Sequence, residues 1–157
     1  MPAFLSLFEG NKLNVAVLAD FAVGGKSQIE RIRKSKLLSD ERILLVSSFT
    51  GTAEADVEDL LGEDIYSALV NAAFDLPEPQ KITAAKLAGV TGVTRIVKKV
   101  ETLFKVMPPT IKEFDHLSPA LVLLSGPHYL ADTSPATAAA LQRFEKFFET
   151  VNSFLPK

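Results

Sequence analysis

Two groups of carboxylates stand where the chain could assemble a cation site. Asp20 directly follows the apolar run LNVAVLA, and the acidic stretch EADVED follows a second run, RILLVSS. The acids of that stretch are Glu54, Asp56, Glu58 and Asp59. Hard divalent ions such as Mg²⁺ prefer carboxylate and water oxygens, so these five side chains are the candidate metal ligands. Acids also favour a helix N-terminus through its dipole, which accounts for Glu54 and in part for Asp56 without a metal.

The elements around these acids predict how they would be positioned. The two apolar runs have the length of buried strands, and residues 26–38 between them have a thin apolar stripe typical of a helix. Strand, glycine turn, helix and strand predict a right-handed βαβ unit with parallel strands. Ligands of open α/β sheets gather at the carboxyl ends of such strands. We therefore expect Asp20 and the acids of 54–59 to lie near one another.

The glycine turn itself, in LADFAVGGKS, resembles the end of a phosphate-binding loop. Such a loop has glycine five residues before its Gly-Lys-Ser, and here that position holds Asp20. A carboxylate there repels phosphate, and the second strand ends in two serines instead of an aspartate that could support magnesium. We therefore expect this chain not to bind ATP.

The remaining pattern is mainly helical. Thr52 can cap a helix that carries Val57, Leu60, Leu61, Ile65 and Leu69, and prolines 77 and 79 end it. Residues 81–105 predict one or two helices around the Gly89–Gly92 break, and a loop-rich region follows MPPT as far as residue 130. Ser134 and Pro135 begin a final helix. Its apolar stripe predicts core packing, or a face for a partner helix: Leu141, Phe144, Phe148, Val151 and Leu155.

The predicted sheet is small for a stable fold. Two parallel strands do not form a stable open sheet alone, and three or more strands or good helix cover are normally required. Either AFLSLF near the N-terminus adds a strand, or something outside this chain completes the sheet.

Composition narrows the functional classes. The chain has 157 residues, a net charge of −2, no cysteine and two histidines. Thiolate chemistry and a multi-histidine metal site are therefore excluded. His116 and His128 each fit loop hydrogen bonding or core packing better than catalysis. No signal peptide or apolar span is evident, so we expect a cytoplasmic protein without membrane contact. Basic stretches at 26–36 and 81–112 flank the acidic one, which fits solvated helix faces or surfaces that meet a polyanion.

Several segments resemble the Toprim domain of overcoming-lysogenisation-defect (OLD) family ATP-dependent endonucleases. These segments are LNVAVLADFAVGGKSQIERI and ILLVSSFTGTAEADVEDLLGEDIYSALVNAAF. Three later segments are similar to the region after that domain in bacterial ATPase–Toprim proteins, namely TRIVKKVETLF, FDHLSPA and LQRFEKFFETVNSFL. The resemblance implies a partial Toprim-like, Rossmannoid α/β segment over 1–76 and a helical C-terminal region over 77–157 packed on it. One compact domain is expected.

The resemblance also implies a chemistry. Asp20 matches the first aspartate of the family's Asp-x-Asp motif, whereas Ala22 stands in place of the second. EADVEDL matches its later acidic motif, with Glu58 the best single candidate there, and the early glutamate and the ATPase half have no counterpart. The implied function is Mg²⁺- or Mn²⁺-dependent DNA hydrolysis in bacterial defence, impaired in the isolated chain. A lysine would assist the departing oxygen, with Lys99 chosen among Lys81, Lys86, Lys98 and Lys99.

The implied partners are DNA and either a companion ATPase–Toprim polypeptide or a second copy of the chain. The alternative hypothesis is a non-catalytic interaction or assembly module derived from the same family. That module would use the basic helices and the phenylalanine-rich C-terminal end, with Phe144, Phe147, Phe148 and Phe154.

Overall fold

The structure is a computed structural model that describes residues 8, 13–20, 22 and 26–156. It is a mixed α/β fold, mostly helical, with one short two-stranded parallel sheet in the described part. Strand β1 is Val17–Ala19 and β2 is Ile43–Leu45, with Val17 opposite Ile43 and Ala19 opposite Leu45. Of AFLSLF, residues 3–7 lie outside the described residues, and so does the Gly24-Gly25 pair.

The βαβ unit is confirmed. Helix α1, Lys26–Ser35, connects the two parallel strands and is followed by a 3₁₀ turn at Asp40–Arg42. Ile29 and Ile32 are buried with Val17 and Ile43, so the helix covers the sheet with the apolar face that its sequence predicts. A bond from the backbone N–H of Val46 to the carbonyl of Ala19 (3.1 Å) extends the strand pairing by one residue.

The segment after β2 differs from the predicted single helix. Helix α2 is Ser47–Thr50, a 3₁₀ turn follows at Val57–Leu60, and helix α3 is Glu63–Ala73. Gly51 and Gly62 adopt φ values of 73° and 82°, which favour glycine and interrupt helical geometry. The prediction of one helix that a Thr52 cap begins is therefore wrong.

The larger core is built by the helices that follow. Helix α4 is Ala84–Ala88 and α5 is Ile96–Phe104, which confirms two helices around the glycine-containing break. Helix α6, Leu117–Ser125, lies within the region predicted to be loop-rich and packs against α3, so that prediction is wrong there. Buried side chains of α3, α4 and α5 form one cluster that includes Leu69, Leu87 and Val100, and Val122 and Leu123 of α6 pack against it.

The final helix, α7, is Pro135–Asn152, and its first turn is capped as predicted. The Ser134 hydroxyl oxygen accepts a hydrogen bond from the Thr137 backbone N–H. Thr137 and Ala140 face the core, and Phe144 packs against it. Leu141, Phe148 and Leu155 are 47%, 56% and 58% exposed, so the prediction of core packing is wrong for these three. The residues of α7 that face the core are shifted by about one position toward the N-terminus relative to the predicted stripe.

No helix in the described part of the chain has both the length and the apolar content needed to cross a bilayer.

Candidate functional site

The structure brings Asp20 to the acidic segment. The Asp20 carboxylate, just beyond the end of β1, accepts a hydrogen bond of 3.0 Å from the backbone N–H of Val57. Val57 begins the 3₁₀ turn that carries Glu58 and Asp59, and Asp56 directly precedes it. The parallel pairing of β1 and β2 produces this contact, because both connections leave the same edge of the sheet.

The pKa values of Asp20 and Glu58 are both raised. Partial burial raises the pKa of Asp20 although it keeps solvent-exposed surface, and the nearby charge of Asp56 raises it further. Burial also raises the pKa of Glu58, followed by the charges of Asp56 and Asp20, against its own backbone N–H and His116. Burial is the larger cause for both groups, and a cation would relieve the repulsion from the neighbouring negative charges that adds to it.

Asp56 is committed to an ion pair. Both of its oxygens lie near Nη1 of Arg95, at 2.9 Å and 3.2 Å, and its side chain is only 10% exposed. This hydrogen bond is the main reason that the pKa of Arg95 is raised, and the charges of Asp56, Glu54 and Asp59 also raise it. Arg95 therefore acts as a counter-charge for Asp56, Glu54 and Asp59.

The Asp59 side chain bonds to the backbone at two places. One of its oxygens accepts from the backbone N–H of Asp56 at 2.7 Å, and the other accepts from the backbone N–H of Ile96 at 2.9 Å. Because Ile96 is the first residue of α5, Asp59 joins the 3₁₀ turn to the N-terminus of that helix. Burial nevertheless raises the pKa of Asp59.

The other predicted site residues are Glu54 and Lys99. Glu54 is half-buried, and its carbonyl accepts from the Thr52 hydroxyl at 2.9 Å. Lys99 is paired with Glu63 at the start of α3, and its side chain is 13% exposed. Its role in catalysis therefore stays a prediction. Among the residues that the structure describes, no group of three or more histidines, aspartates or glutamates is arranged to hold a metal ion.

The sequence did not predict a role for two residues of this region, Arg95 and Tyr66. Arg95 stands 39 positions from Asp56, and nothing local in the sequence indicates that they pair. Tyr66 is 2% exposed inside α3, and its pKa is raised by burial and then by Glu58, Asp56, Asp59 and Glu101. A tyrosine within the apolar stretch DIYSALV was the available signal, since a buried hydroxyl normally needs a partner.

We expect Glu58→Gln to raise the thermal midpoint at neutral pH by roughly 1–3 °C, where 1 kcal/mol corresponds to about 2–4 °C for a domain of this size. A carboxyl whose pKa is raised by folding favours the folded state while protonated, and that contribution is lost as the pH rises through the raised pKa. Glutamine avoids the loss, so the two proteins should converge below the usual glutamate pKa of 4.5. Melting curves from neutral to acidic pH test this.

The matched control is Glu149→Gln, on the exposed face of α7, which should leave the midpoint unchanged at every pH. A lower midpoint for Glu58→Gln at neutral pH would show that the carboxylate stabilises the fold.

Comparison with protein-family models, curated proteins and solved structures found no match to this chain.

Proposed function

We propose that this chain is part of a Toprim-type DNA endonuclease and holds Mg²⁺ or Mn²⁺ through Asp20 and Glu58. The observation that carries the proposal is the Asp20–Val57 hydrogen bond, which places a strand-end carboxylate beside the acidic turn. The parallel βαβ unit and the raised pKa values of Asp20 and Glu58 support it. Mg²⁺ sites commonly use one or two carboxylates, with waters and substrate phosphates as the remaining ligands.

Asp20 and Glu58 would have distinct roles in such a site. Asp20 is held by the Val57 N–H, so one of its oxygens is oriented by the backbone. Glu58 comes from the turn itself, beside the buried acids and Arg95. A divalent cation held between them would neutralise charge on the scissile phosphate and lower the pKa of an attacking water. Asp56 and Asp59 would serve the site by fixing the shape of the turn.

The same geometry favours weak cation affinity and impaired catalysis by the chain alone. Ala22 provides no second strand-end carboxylate, and Asp56 already has Arg95 as its counter-charge. We propose that a companion ATPase–Toprim polypeptide or a second copy of the chain supplies further ligands and extends the sheet, which has two strands among the described residues. DNA is the proposed substrate, and the location is proposed to be the cytoplasm of a bacterial cell.

We expect the double variant Asp20→Asn, Glu58→Gln to bind Mn²⁺ at least tenfold more weakly than the unaltered chain. Amide oxygens carry no charge and are poorer ligands for hard cations than carboxylates. Free Mn²⁺ measured by electron paramagnetic resonance gives both affinities. The control is Glu145→Gln, Glu149→Gln, which removes two exposed acids from α7 and should change nothing. Equal Mn²⁺ affinity in all three proteins would overturn the proposed site.

The second candidate is a non-catalytic interaction or assembly module. The observation in its favour is the exposed apolar side of α7, where Leu141 and Phe148 remain accessible, together with Leu155 just beyond the helix. The ring of Phe148 contacts the ring of Phe147, which itself packs edge-to-face on Phe49. Such a face would suit docking on a companion protein.

A supercoiled plasmid incubated with Mn²⁺ separates the two candidates. Slow nicking by the unaltered chain that is lost in the Asp20→Asn, Glu58→Gln variant would support the endonuclease. Binding of Mn²⁺ without nicking, even when the companion polypeptide is added, would favour the non-catalytic module.

A further inference from the structure

The structure distinguishes the two basic stretches of the sequence, at 26–36 and 81–112, by the partners of their charges. In the second stretch most of the cations already have a partner. The side chain of Lys86 bonds to backbone carbonyls, and five other cations pair with carboxylates: Lys81 with Glu78, Arg95 with Asp56, Lys98 with Glu101, Lys99 with Glu63 and Lys112 with Asp115. The second stretch is therefore largely neutralised within the chain itself.

The first stretch keeps its charge exposed. Arg31, Lys34 and Lys36 lie at the surface, and none of the three side chains forms an ion pair or hydrogen bond with a residue that the structure describes. Arg33, by contrast, pairs with Glu30 at 3.1 Å and with Asp40 at 3.4 Å. Positive charge without a counter-charge in the described part of the chain is thus concentrated around the C-terminal half of α1.

The backbone places these three cations next to one another. Arg31 and Lys34 are three residues apart on α1, so their side chains are neighbours on the helix surface. Lys36 follows the last residue of α1, and a bond from its backbone N–H to the carbonyl of Arg33 (3.1 Å) keeps it beside the last turn. The opposite side of α1 is buried on the sheet, so the three cations face solvent together.

Local stability explains only part of this arrangement. A cation in the last turn of a helix is favourable, which accounts for Lys34. Arg31 precedes that turn and Lys36 lies beyond the helix, and like charges at such short spacing repel one another. Residues 26–42 hold six basic and three acidic side chains in a chain whose net charge is −2. A local excess of positive charge on an acidic protein is suited to a polyanion.

We propose that Arg31, Lys34 and Lys36 bind the phosphate backbone of duplex DNA. The choice of DNA among polyanions rests on the proposed endonuclease function. DNA carries one negative charge per about 1.7 Å of its axis, so a ten-residue helix, about 15 Å long, spans several phosphates. Because α1 connects the end of β1 to the start of β2, it begins at the sheet edge where Asp20 lies. DNA that lies along α1 therefore extends towards the candidate cation site.

A short fluorescein-labelled duplex is the probe. It is titrated with the full chain in EDTA at several NaCl concentrations, and binding is followed by fluorescence anisotropy. EDTA removes divalent cations, so the result is independent of whether Asp20 and Glu58 hold a metal. We expect the logarithm of the association constant to fall with the logarithm of the salt concentration with a slope of about −3, since each phosphate contact contributes about −0.9.

Two triple variants with the same loss of charge test the location. Arg31→Gln, Lys34→Gln, Lys36→Gln should make the slope shallower by about 2–3 and weaken binding at least tenfold at low salt. The control replaces three exposed lysines outside α1 and should bind almost as tightly as the unaltered chain: Lys105→Gln, Lys112→Gln, Lys146→Gln. Thermal melting checks that both variants are folded. If the first is not, the single variant Arg31→Gln should still make the slope shallower by about 1.

The proposal is overturned if the unaltered chain does not bind DNA in EDTA, or if the α1 variant binds as tightly as the unaltered chain. Equal losses in the α1 variant and the control would also overturn it. Binding to phosphatidylserine vesicles without binding to DNA would contradict it as well and would assign the surface to a membrane.

The same experiments separate this proposal from the endonuclease. The Asp20→Asn, Glu58→Gln variant should still bind DNA in EDTA, because its changes leave α1 intact. DNA binding without nicking of the plasmid in Mn²⁺ would contradict the endonuclease alone. Nicking by the unaltered chain, together with undiminished DNA affinity in the α1 variant, would contradict the α1 surface alone.

Discussion

Replacing Arg95 with methionine should lower the free energy of unfolding by about 3 kcal/mol, because removal of one partner from a buried ion pair leaves an uncompensated charge. Arg95 and Asp56 are only 22% and 10% exposed, so water cannot replace the lost guanidinium effectively. Asp20, Glu58 and Asp59 would add repulsion, since the charge of Asp56 adds to burial in raising the pKa of each. Chemical denaturation at neutral pH measures the loss.

The matched control is Lys81→Met, which breaks the exposed pair between Lys81 and Glu78 and should cost less than about 1 kcal/mol. Adding Asp56→Asn to Arg95→Met should recover part of the lost stability, because it removes the stranded charge. A loss no larger than that of the control, or no recovery in the double variant, would show that Arg95 does not serve as the counter-charge.

Replacing Asp59 with alanine should also destabilise the protein strongly, by about 3 kcal/mol. The carboxylate satisfies two backbone N–H groups, those of Asp56 and Ile96, and each unsatisfied buried donor costs about 1–3 kcal/mol. The loss should fall on the start of α5, where hydrogen exchange of the Ile96 amide would become faster. Denaturation and exchange together measure the effect.

The asparagine variant separates this structural role from metal binding. Asp59→Asn keeps one acceptor oxygen and should lose about half as much stability as alanine, since one of the two donors remains bonded. If Asp59 were chiefly a metal ligand, alanine and asparagine would cost similar stability without metal and would both lose Mn²⁺ binding. Our account instead predicts unequal stability losses and retained Mn²⁺ binding in Asp59→Asn.

The sequence predicted the parts of the fold that depend on short-range patterns. The βαβ unit follows from two apolar runs and the Ile29–Ile32 spacing, and strand parallelism then forces Asp20 towards the acidic segment. The caps of the last helix are equally local, since Ser134 and Pro135 define its start. In each case adjacent residues carry the whole signal.

Prediction failed where backbone conformation or distant contacts decide the outcome. The apolar spacing from Val57 to Leu69 is helical, but Gly62 turns the chain and separates the 3₁₀ turn from α3. An added Cβ on Gly62 would lie 2.9 Å from Nη2 of Arg143, a contact that sequence reading cannot anticipate. Helix α6 was not predicted because its own residues are apolar on every side, so its sequence shows no stripe with helical spacing. Leu117, Leu121 and Leu124 are exposed, whereas Leu123 packs on the core.

The candidate site was also predicted only in part. The convergence of Asp20 with the acidic turn was predictable from topology, but the different uses of the four acids were not. Asp56 and Asp59 are distinguished from Glu58 by partners at Arg95 and Ile96, which are distant in sequence. The roles of all five acids as metal ligands stay predictions, and so do those of Asp20, Glu58 and Lys99 in catalysis.

The most direct test of the proposed cation site is the effect of Mn²⁺ on individual amide signals of the unaltered chain. A paramagnetic ion shared by Asp20 and Glu58 should broaden the amide signal of Val57 first, because that N–H is bonded to the Asp20 carboxylate. The amide of Lys81, near the exposed acid Glu78, should broaden only at much higher Mn²⁺ concentration. If the amide signal of Val57 stays sharp while those of Lys81 or other surface residues broaden, Asp20 and Glu58 do not hold the ion.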